Sequence, residues 1–271
     1  LFRDLRFRQA MSLAINRDEI NEVNSYGMGT PSQYIAFSPK PDFIDSKWSS
    51  HYAQYDPAQA NALLDQTGAV DTDGDGMREL PNGDPLVINI DFATQGIGGG
   101  EVELVARHWN DVGVKTLFKE VTPDEYRGAQ SSNQLDVGAW QKNQPIAIIL
   151  GENELFVPPY ENYFGHTTAI KWAEYIDSNG SSGIKPPQYA YDLIDAVNTF
   201  QSASAGSAES HAAGNKMVEL LVENLLFIGT VAAPYPVFHR NALKNVTQFK
   251  VASYNYYRTF PYLPQQWYLA E

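Results

Sequence analysis

The sequence predicts an α/β domain in which helices and strands lie in layers. Between residues 56 and 140, helical patterns alternate with strand patterns, and this alternation is typical of layered α/β folds. The chain has 271 residues, of which 43% are hydrophobic, and this is enough to bury a sizeable core. No apolar run approaches the length of about 18 residues that a membrane span requires.

The N-terminal segment has the spacing of an amphipathic helix. Its apolar residues recur mostly at intervals of three and four, at Leu5, Phe7, Ala10, Met11, Ala14, Ile15 and Ile20. We predict a helix over Asp4–Glu22, with a possible break near Asn16. Residues 25–57 are rich in glycine and proline, so we expect irregular chain at the surface there.

The next elements follow in strict alternation. Asp56-Pro57 has the residues of an N-cap and first turn, which predicts a helix up to Gly68. The alternating residues 86–92 predict a strand, the apolar pattern of residues 102–109 a helix that ends at Gly113, and residues 114–121 a second strand. Thr122-Pro123-Asp124 starts a short helix through Tyr126, and residues 136–140 form a third predicted strand.

The C-terminal half has weaker patterns. We expect no regular structure between Gln144 and Pro187. Further predictions are helices at about residues 187–200 and 209–225, a buried strand at residues 226–231, and an aromatic tail with little helix signal from Pro234 onward.

Charge and composition exclude several classes of function. The chain has 19 Lys and Arg against 32 Asp and Glu, a net charge of −13, which would repel nucleic acids and anionic membranes. It has no cysteine, so disulfides, thiolate nucleophiles and iron–sulfur clusters are excluded. The five histidines lack metal-ligand spacing, and no G-x-S-x-G motif is present. Aromatic residues make up 13% of the chain, which suits a cleft for sugars or peptides or, equally, a well-filled core.

One acidic loop resembles the start of an EF-hand calcium loop. Asp71, Asp73, Asp75 and Glu79 occupy positions 1, 3, 5 and 9, with Gly76 at position 6. Position 12 is Asn82 and lacks the bidentate carboxylate. The alternatives are therefore a structural calcium site and an acidic turn held by its own Asx hydrogen bonds.

Two other features have less specific interpretations. Gly96-Ile97-Gly98-Gly99-Gly100 lies between a strand and a helix, but the dinucleotide spacing fails at Glu101, so we interpret it as a flexible connector. Carboxylates such as Glu152 and Glu154 could serve an extracellular glycoside hydrolase, although solvated loop carboxylates are the commoner explanation.

Three segments resemble one protein family. Asp4–Arg17 matches D-x-R-x-R-x-A-hydrophobic-x-x-A-I-[DN]-R, a signature of the extracytoplasmic solute-binding proteins of ABC transporters in the peptide/nickel-binding family (family 5). Tyr55–Asp65 and Asp71–Glu79 are similar to that family's Y-D-P-x-x-A-x-x-L-L-D and D-x-D-G-D-G-x-R-E segments. Matches to a long-chain subgroup continue at Trp172, residues 183–187, residues 223–231 and Lys244-Asn245-Val246.

The resemblance implies a fold and a division of the chain. It implies a periplasmic-binding-protein-like lobe (type II, cluster C), with a mixed sheet flanked by helices, truncated from a two-lobed protein. Residues 1–226 would form most of the second lobe. Residues 227–271 would comprise a strand that crosses the hinge and a tail that belongs with the first lobe.

The resemblance also implies a non-catalytic role. Family members hold a solute between two lobes and deliver it to a membrane permease, without a required cofactor. We therefore expect the binding component of an ABC importer, with an oligosaccharide or oligopeptide as its ligand. The expected location is periplasmic or extracellular, with anchoring as a lipoprotein through a missing N-terminal region.

Candidate ligand-binding residues come from the family's W-x-x-D segment. The matching residues are Trp140-Gln141-Lys142-Asn143, in which neutral Asn143 replaces the aspartate that pairs with a peptide ammonium. An amide cannot supply that charge-assisted bond, whereas Trp140, Gln141 and Asn143 suit a hydroxyl-rich ligand. The expectation therefore favours an oligosaccharide slightly over a peptide. Asn133 and Trp172 are further candidates, the latter in a loop that the family turns towards the ligand.

Overall fold

The sheet at the centre of the N-terminal half is parallel. The computed structural model describes residues 1–37, 39–141, 155–162, 166–233, 239–246 and 263–270. The strands are β2 (Val87–Phe92), β3 (Lys115–Glu120) and β4 (Val137–Ala139), and they lie in the order β3-β2-β4. Ile88, Ile90 and Phe92 are buried and alternate with more exposed residues, as the period-two pattern predicts.

The helices around this sheet begin where the sequence predicts, except that the helix predicted at residues 102–109 already begins at Gly99. They are α1 (Leu5–Leu13), α2 (Arg17–Ser25), α3 (Pro57–Gln66), α4 (Gly99–Asn110) and α5 (Pro123–Ser131). The break near Asn16 is confirmed, because the Asn16 side chain accepts a hydrogen bond from the Glu19 amide and caps α2. Asp56 caps α3 in the same way through the Gln59 amide. Thr122 and Glu125 form a capping box, and α5 runs five residues beyond the predicted end.

A second group of elements is mainly helical. It contains α6 (Ile170–Asp177), α7 (Gln188–Ser202) and α8 (Ala208–Glu223), of which α7 and α8 pack against each other. Residues 34–37 and 43–48 pack against the same helices, and Ser46–Ser50 form a 3₁₀ helix within the predicted irregular region. The antiparallel pairs of the described residues are two-stranded: β1 (Thr30–Pro31) with β7 (Val231–Ala232), β5 (Tyr160–Asn162) with β6 (His166–Thr168), and β8 (Leu243–Lys244) with β9 (Tyr268–Leu269).

Two predictions about the C-terminal half were wrong. Residues 144–187 include α6 and the β5–β6 hairpin where no regular structure was expected. Helix α6 has no N-capping side chain, because Ala169 takes that position in a left-handed conformation, so the usual start signal is missing. The predicted strand at residues 226–231 is confined to Val231–Ala232, because the Gly229 backbone bonds to the Gln33 and Arg17 side chains instead of to a strand.

The buried residues form two hydrophobic cores. The first lies around the parallel sheet and includes Phe7, Ile20, Ile88 and Trp109. The second lies around α7 and α8 and includes Trp48, Phe156, Leu193 and Leu221. In the described part of the chain, no helix is both long and apolar enough to cross a membrane.

Candidate functional site

A cleft of 1380 Å³ runs along the surface where the two cores meet. Its walls include Ile88 and Ile90 of β2, the strand β4, the loops that follow both strands, and the start of α6 and α7. In parallel α/β sheets, ligands bind beyond the carboxyl ends of the strands, especially where the loops of adjacent strands diverge. Here α4 connects β2 to β3 on one side, whereas β4 pairs with the other side of β2.

Four of the five predicted ligand-binding residues line this cleft. They are Asn133, Trp140, Gln141 and Trp172. Asn143, and also Glu152 and Glu154, lie outside the described residues. The structure therefore brings four candidates to one surface, although in sequence Trp172 lies 32 residues from Trp140.

Trp140 follows β4 directly and packs against a glycine. A Cβ atom added to Gly96 would overlap the Trp140 indole, so this position in the β2–α4 loop must be glycine for the ring to lie here. The Gln141 amide donates a 3.1 Å hydrogen bond to the Gly96 carbonyl, which fixes the two loops together. The ring also packs against Tyr126, with 5.2 Å between ring centroids. The glycine loop thus has a packing role that its interpretation as a flexible connector missed.

Polar side chains line the same cleft as Trp140. Asn133 is exposed and follows α5 in a left-handed conformation, and Gln141 is also exposed. Asp136 precedes β4, and its Oδ2 accepts hydrogen bonds from the Asn89 amide at 3.1 Å and from Asn89 Nδ2 at 2.8 Å. This end of the cleft therefore offers an aromatic face beside neutral amides.

Glu101 lies on the same wall, in the first turn of α4. Its carboxylate accepts a hydrogen bond from the Thr230 hydroxyl. Burial raises the pKa of Glu101, and the Thr230 hydrogen bond offsets part of that rise. In the sequence, Glu101 stands out only as the residue at which the dinucleotide spacing fails.

Trp172 is part of an aromatic row. It lies in α6 rather than in the expected loop, and its ring packs edge-on against Tyr160 and Tyr189 at centroid distances of 6.3 and 6.0 Å. Phe227 extends the row by packing against Tyr34 and Tyr160. Burial raises the pKa values of the Tyr34 and Tyr160 hydroxyls, which have no hydrogen-bond partner within the described residues. The sequence signal for this row was only the high aromatic content.

The acidic loop gathers three of its four predicted ligands. Carboxylate oxygens of Asp71, Asp73 and Glu79 lie within 4.8 Å of one another, whereas Asp75 is not part of this group. Asp75 instead accepts a hydrogen bond from the Met77 amide at 2.7 Å, and Asp71 accepts hydrogen bonds from the amides of Gly74 and Gly76. The Asx hydrogen bonds of the alternative interpretation are thus present together with a cluster of three carboxylates.

Arg78 holds this loop against the core. It is 8% exposed and donates hydrogen bonds to Asp65, Asn61 and the Ala69 and Val112 carbonyls. Glu79 accepts hydrogen bonds from the amide and hydroxyl of Thr72 at 2.7 and 2.5 Å. The R-E pair of the D-x-D-G-D-G-x-R-E segment therefore fixes the loop.

Comparison with known proteins defines the class. Residues 1–146 match the family described as bacterial extracellular solute-binding proteins, family 5. The match covers more than half of the chain, so the chain belongs to this family. Members of the family are binding proteins of the periplasm or cell exterior, and the α/β fold class predicted from sequence is confirmed.

Three relatives show how the similarity is distributed. The chain is 23% identical over 209 residues to a periplasmic alpha-galactoside-binding protein of Rhizobium meliloti, covering 74% of this chain and 28% of that protein. The structure of an oligopeptide-binding protein OppA superposes with a TM-score of 0.75 and 27% identity, over 99% of this chain and 44% of that one. MelB from Agrobacterium fabrum, solved with stachyose, gives a TM-score of 0.67 and 20% identity over 84% of this chain and 33% of that one. The chain therefore spans less than half the length of these relatives.

Proposed function

We propose that this chain forms most of the second lobe of an ABC-importer binding protein that captures an oligosaccharide or oligopeptide and delivers it to a membrane permease. The observation that carries this proposal is the cleft, in which Trp140 and Trp172 line the same surface in a chain that belongs to family 5. Residues 1–226 form the lobe in this proposal, and residues 227–271 lead through the hinge to the first lobe.

Trp140, Gln141 and Asn133 form the proposed contact with the ligand's hydroxyl-rich face. Trp140 supplies an aromatic surface for a sugar ring, and the two amides donate and accept hydrogen bonds. Asn143 and Trp172 complete the proposed set of ligand-binding residues. Names of relatives support both ligand classes, since one is named for alpha-galactosides, one was solved with stachyose, and one is named for oligopeptides.

The proposal includes no catalysis and no required cofactor. It places the protein in the periplasm or at the cell exterior, anchored to the membrane through a segment that precedes this chain. The test is to incubate the full-length protein with stachyose and with a defined tetrapeptide and to follow both by chromatography. We expect saturable binding with every ligand recovered intact, whereas steady release of shorter products would contradict the proposal.

Calcium is proposed as a structural ion of the acidic loop. The convergence of Asp71, Asp73 and Glu79 fits a hard cation, and Asp75 would need a different side-chain rotamer to join them. At a calcium concentration a hundredfold above the dissociation constant, a true site adds about 2.7 kcal/mol to the free energy of unfolding. Calcium should therefore raise the melting temperature of the native protein but not that of Asp71→Asn. An equal response of the two proteins would contradict this proposal.

A further inference from the structure

One wall of the cleft is built from two segments that lie far apart in the sequence. Residues 32–34 follow β1 and residues 228–230 precede β7, and both segments line the cleft. The two strands pair antiparallel, and the Ser32 amide extends the pairing with a 3.1 Å hydrogen bond to the Thr230 carbonyl. We call residues 32–34 and 228–230 the crossover wall.

Two side chains hold the crossover wall where this strand pairing ends. The Gly229 amide donates a 2.8 Å hydrogen bond to Gln33 Oε1, and the Gly229 carbonyl accepts a 2.9 Å hydrogen bond from Arg17 Nε. Because both backbone polar groups of Gly229 have partners within the chain, neither needs water or a ligand to satisfy it. The position of Gly229 therefore does not depend on a bound solute.

One buried hydroxyl joins the two side chains that hold Gly229. Ser12 Oγ accepts hydrogen bonds from Gln33 Nε2 at 2.7 Å and from Arg17 Nη2 at 2.8 Å. The same hydroxyl donates to the Tyr52 carbonyl at 2.7 Å, so its full hydrogen-bonding capacity is used. Ser12, Arg17 and Gln33 are each at most 3% exposed. A buried network whose groups are paired in this way resists rearrangement, so it fixes the crossover wall to α1.

Close packing and a contact from α4 restrict the crossover wall further. A Cβ atom added to Gly229 would lie 2.2 Å from the Tyr34 nitrogen and 2.5 Å from the Gln33 carbonyl carbon, so the two segments approach at a distance that only glycine allows. From α4, the Glu101 carboxylate accepts a hydrogen bond from the Thr230 hydroxyl. The crossover wall is thus held by α1, by α4 and by its own packing.

We propose that Arg17 and Gln33 are positioning residues of the binding cleft, which hold the crossover wall in place before the ligand arrives. This inference rests on the proposed function. A wall that is fixed during folding raises the affinity, because no further ordering of its residues opposes binding. Residues 229–232 then move with the second lobe, and lobe closure does not bend the chain at Gly229.

Hydrogen exchange in the full-length protein tests whether Gln33 holds the crossover wall. Gln33→Met keeps a side chain of similar length but leaves the Gly229 amide without its acceptor. The reference is the Thr116 amide of β3, which donates a 3.0 Å hydrogen bond to Asn110 Oδ1 outside the cleft lining. The ratio of the exchange rates at Gly229 and Thr116 removes the effect of a change in global stability. We expect Gln33→Met to raise this ratio about tenfold, the effect of one lost hydrogen bond.

Calorimetry tests whether the crossover wall matters for binding. The matched control for Gln33→Met is Asn110→Leu, since the Asn110 side chain also bridges backbone groups, through hydrogen bonds of 2.8, 3.1 and 3.0 Å to Ala106 and Thr116. Gln33→Met should weaken the binding of stachyose or tetra-alanine, whichever the native protein binds, about tenfold, because the wall loses its fixed position. Asn110→Leu should lower the melting temperature by a similar amount and leave the affinity unchanged. Adding the ligand should not change the exchange ratio of the native protein.

The outcomes separate this inference from the proposed function. An unchanged exchange ratio in Gln33→Met overturns the inference, and so does a ratio that falls when ligand is added to the native protein, because the wall would then form only on binding. Equal losses of affinity in Gln33→Met and Asn110→Leu also overturn it and leave the binding function standing. If the native protein binds neither ligand, the proposed function fails, and the exchange ratio alone decides whether Gln33 holds Gly229.

Discussion

The two hydrophobic cores support the two ends of the cleft in different ways. At the first core, Trp140 follows a parallel strand and lies on Gly96, with neutral amides beside it. At the second core, Trp172 lies on a short helix within a row of aromatic rings, in a cleft lining that also includes Arg8 and Lys185. The same type of side chain therefore lines one cleft in two different chemical surroundings.

A buried polar network joins α1 to the chain around Gln33, Ala53 and Gly229. Arg17 is 2% exposed and donates hydrogen bonds to Ser12 in α1, to the Ala53 carbonyl and to the Gly229 carbonyl. Gln33 donates to the Ser12 hydroxyl and accepts from the Gly229 amide. Burial lowers the pKa of Arg17 to about 10, so the guanidinium remains charged at neutral pH. This network fixes α1 relative to the segment that approaches β7.

The largest predicted effect comes from breaking that network. Arg17→Met should lower the free energy of unfolding by about 3–5 kcal/mol, because several buried carbonyls lose their donor at once. Arg107→Met is the matched control: Arg107 pairs with Glu19 at the surface, and its loss should cost about 1 kcal/mol or less. Urea denaturation of the full-length protein measures both. Similar losses in the two variants would show that the network does not fix α1 to these chain segments.

Replacing each tryptophan measures how the two ends of the cleft differ in binding and in stability. Trp140→Ala should weaken ligand binding by about 30- to 100-fold, the range of a binding hot spot, and it should cost less stability than Trp172→Ala because one ring, Tyr126, loses a packing partner. Trp172→Ala should also lower the free energy of unfolding by about 2–3 kcal/mol, because Tyr160 and Tyr189 lose a packing partner. Calorimetry and denaturation separate the two effects. Equal losses of stability in the two variants would contradict the expectation that Trp172 contributes more to packing than Trp140 does.

A single methyl group tests how Trp140 is held. Gly96→Ala places a Cβ where the indole lies, so the ring must move, and we expect about tenfold weaker binding. Gly98→Ala is the control in the same loop, because a Cβ there meets no atom within 4 Å. If both variants bind ligand equally well, the position of Trp140 does not depend on Gly96.

The smallest predicted effect concerns the pH dependence of stability. Because burial raises the pKa of Glu101, folding favours its protonated form, and ionisation of this group costs stability as the pH rises above the ordinary value of 4.5. Glu101→Gln should therefore raise the melting temperature by roughly 1–2 °C at pH 7 and have no stabilising effect near pH 4. A stabilisation of the same size at both pH values would contradict this explanation.

The sequence predicts the first core better than the second. Around the sheet, local signals are strong: Asn16, Asp56 and Thr122 cap helices, and residues 87–92 alternate. Around α6, Ala169 caps through its backbone conformation alone, and the β5–β6 hairpin has no two-residue turn signal. Tertiary contacts therefore determine α6 and the β5–β6 hairpin, which local sequence patterns do not predict.

The residues of the candidate site also differ in whether the sequence predicts them. Trp140 and Gln141 were found because they stand in a family segment, and Trp172 because of a second resemblance. Arg8, Tyr189 and Glu101 were missed as cleft residues, because each lies within an amphipathic helix whose sequence pattern shows a buried face but not what faces it. Only the packing of α1, α4 and α7 brings these side chains to the same surface.

Native mass spectrometry of the gently purified full-length protein tests whether the cleft holds an oligomeric solute reversibly and without chemical change. The proposed function predicts a co-purified adduct whose mass corresponds to a short oligosaccharide or to a set of short peptides, and which is released intact on unfolding. A protein that carries only a metal complex or a monomeric solute, or that does not gain mass when stachyose or peptides are added, would contradict it.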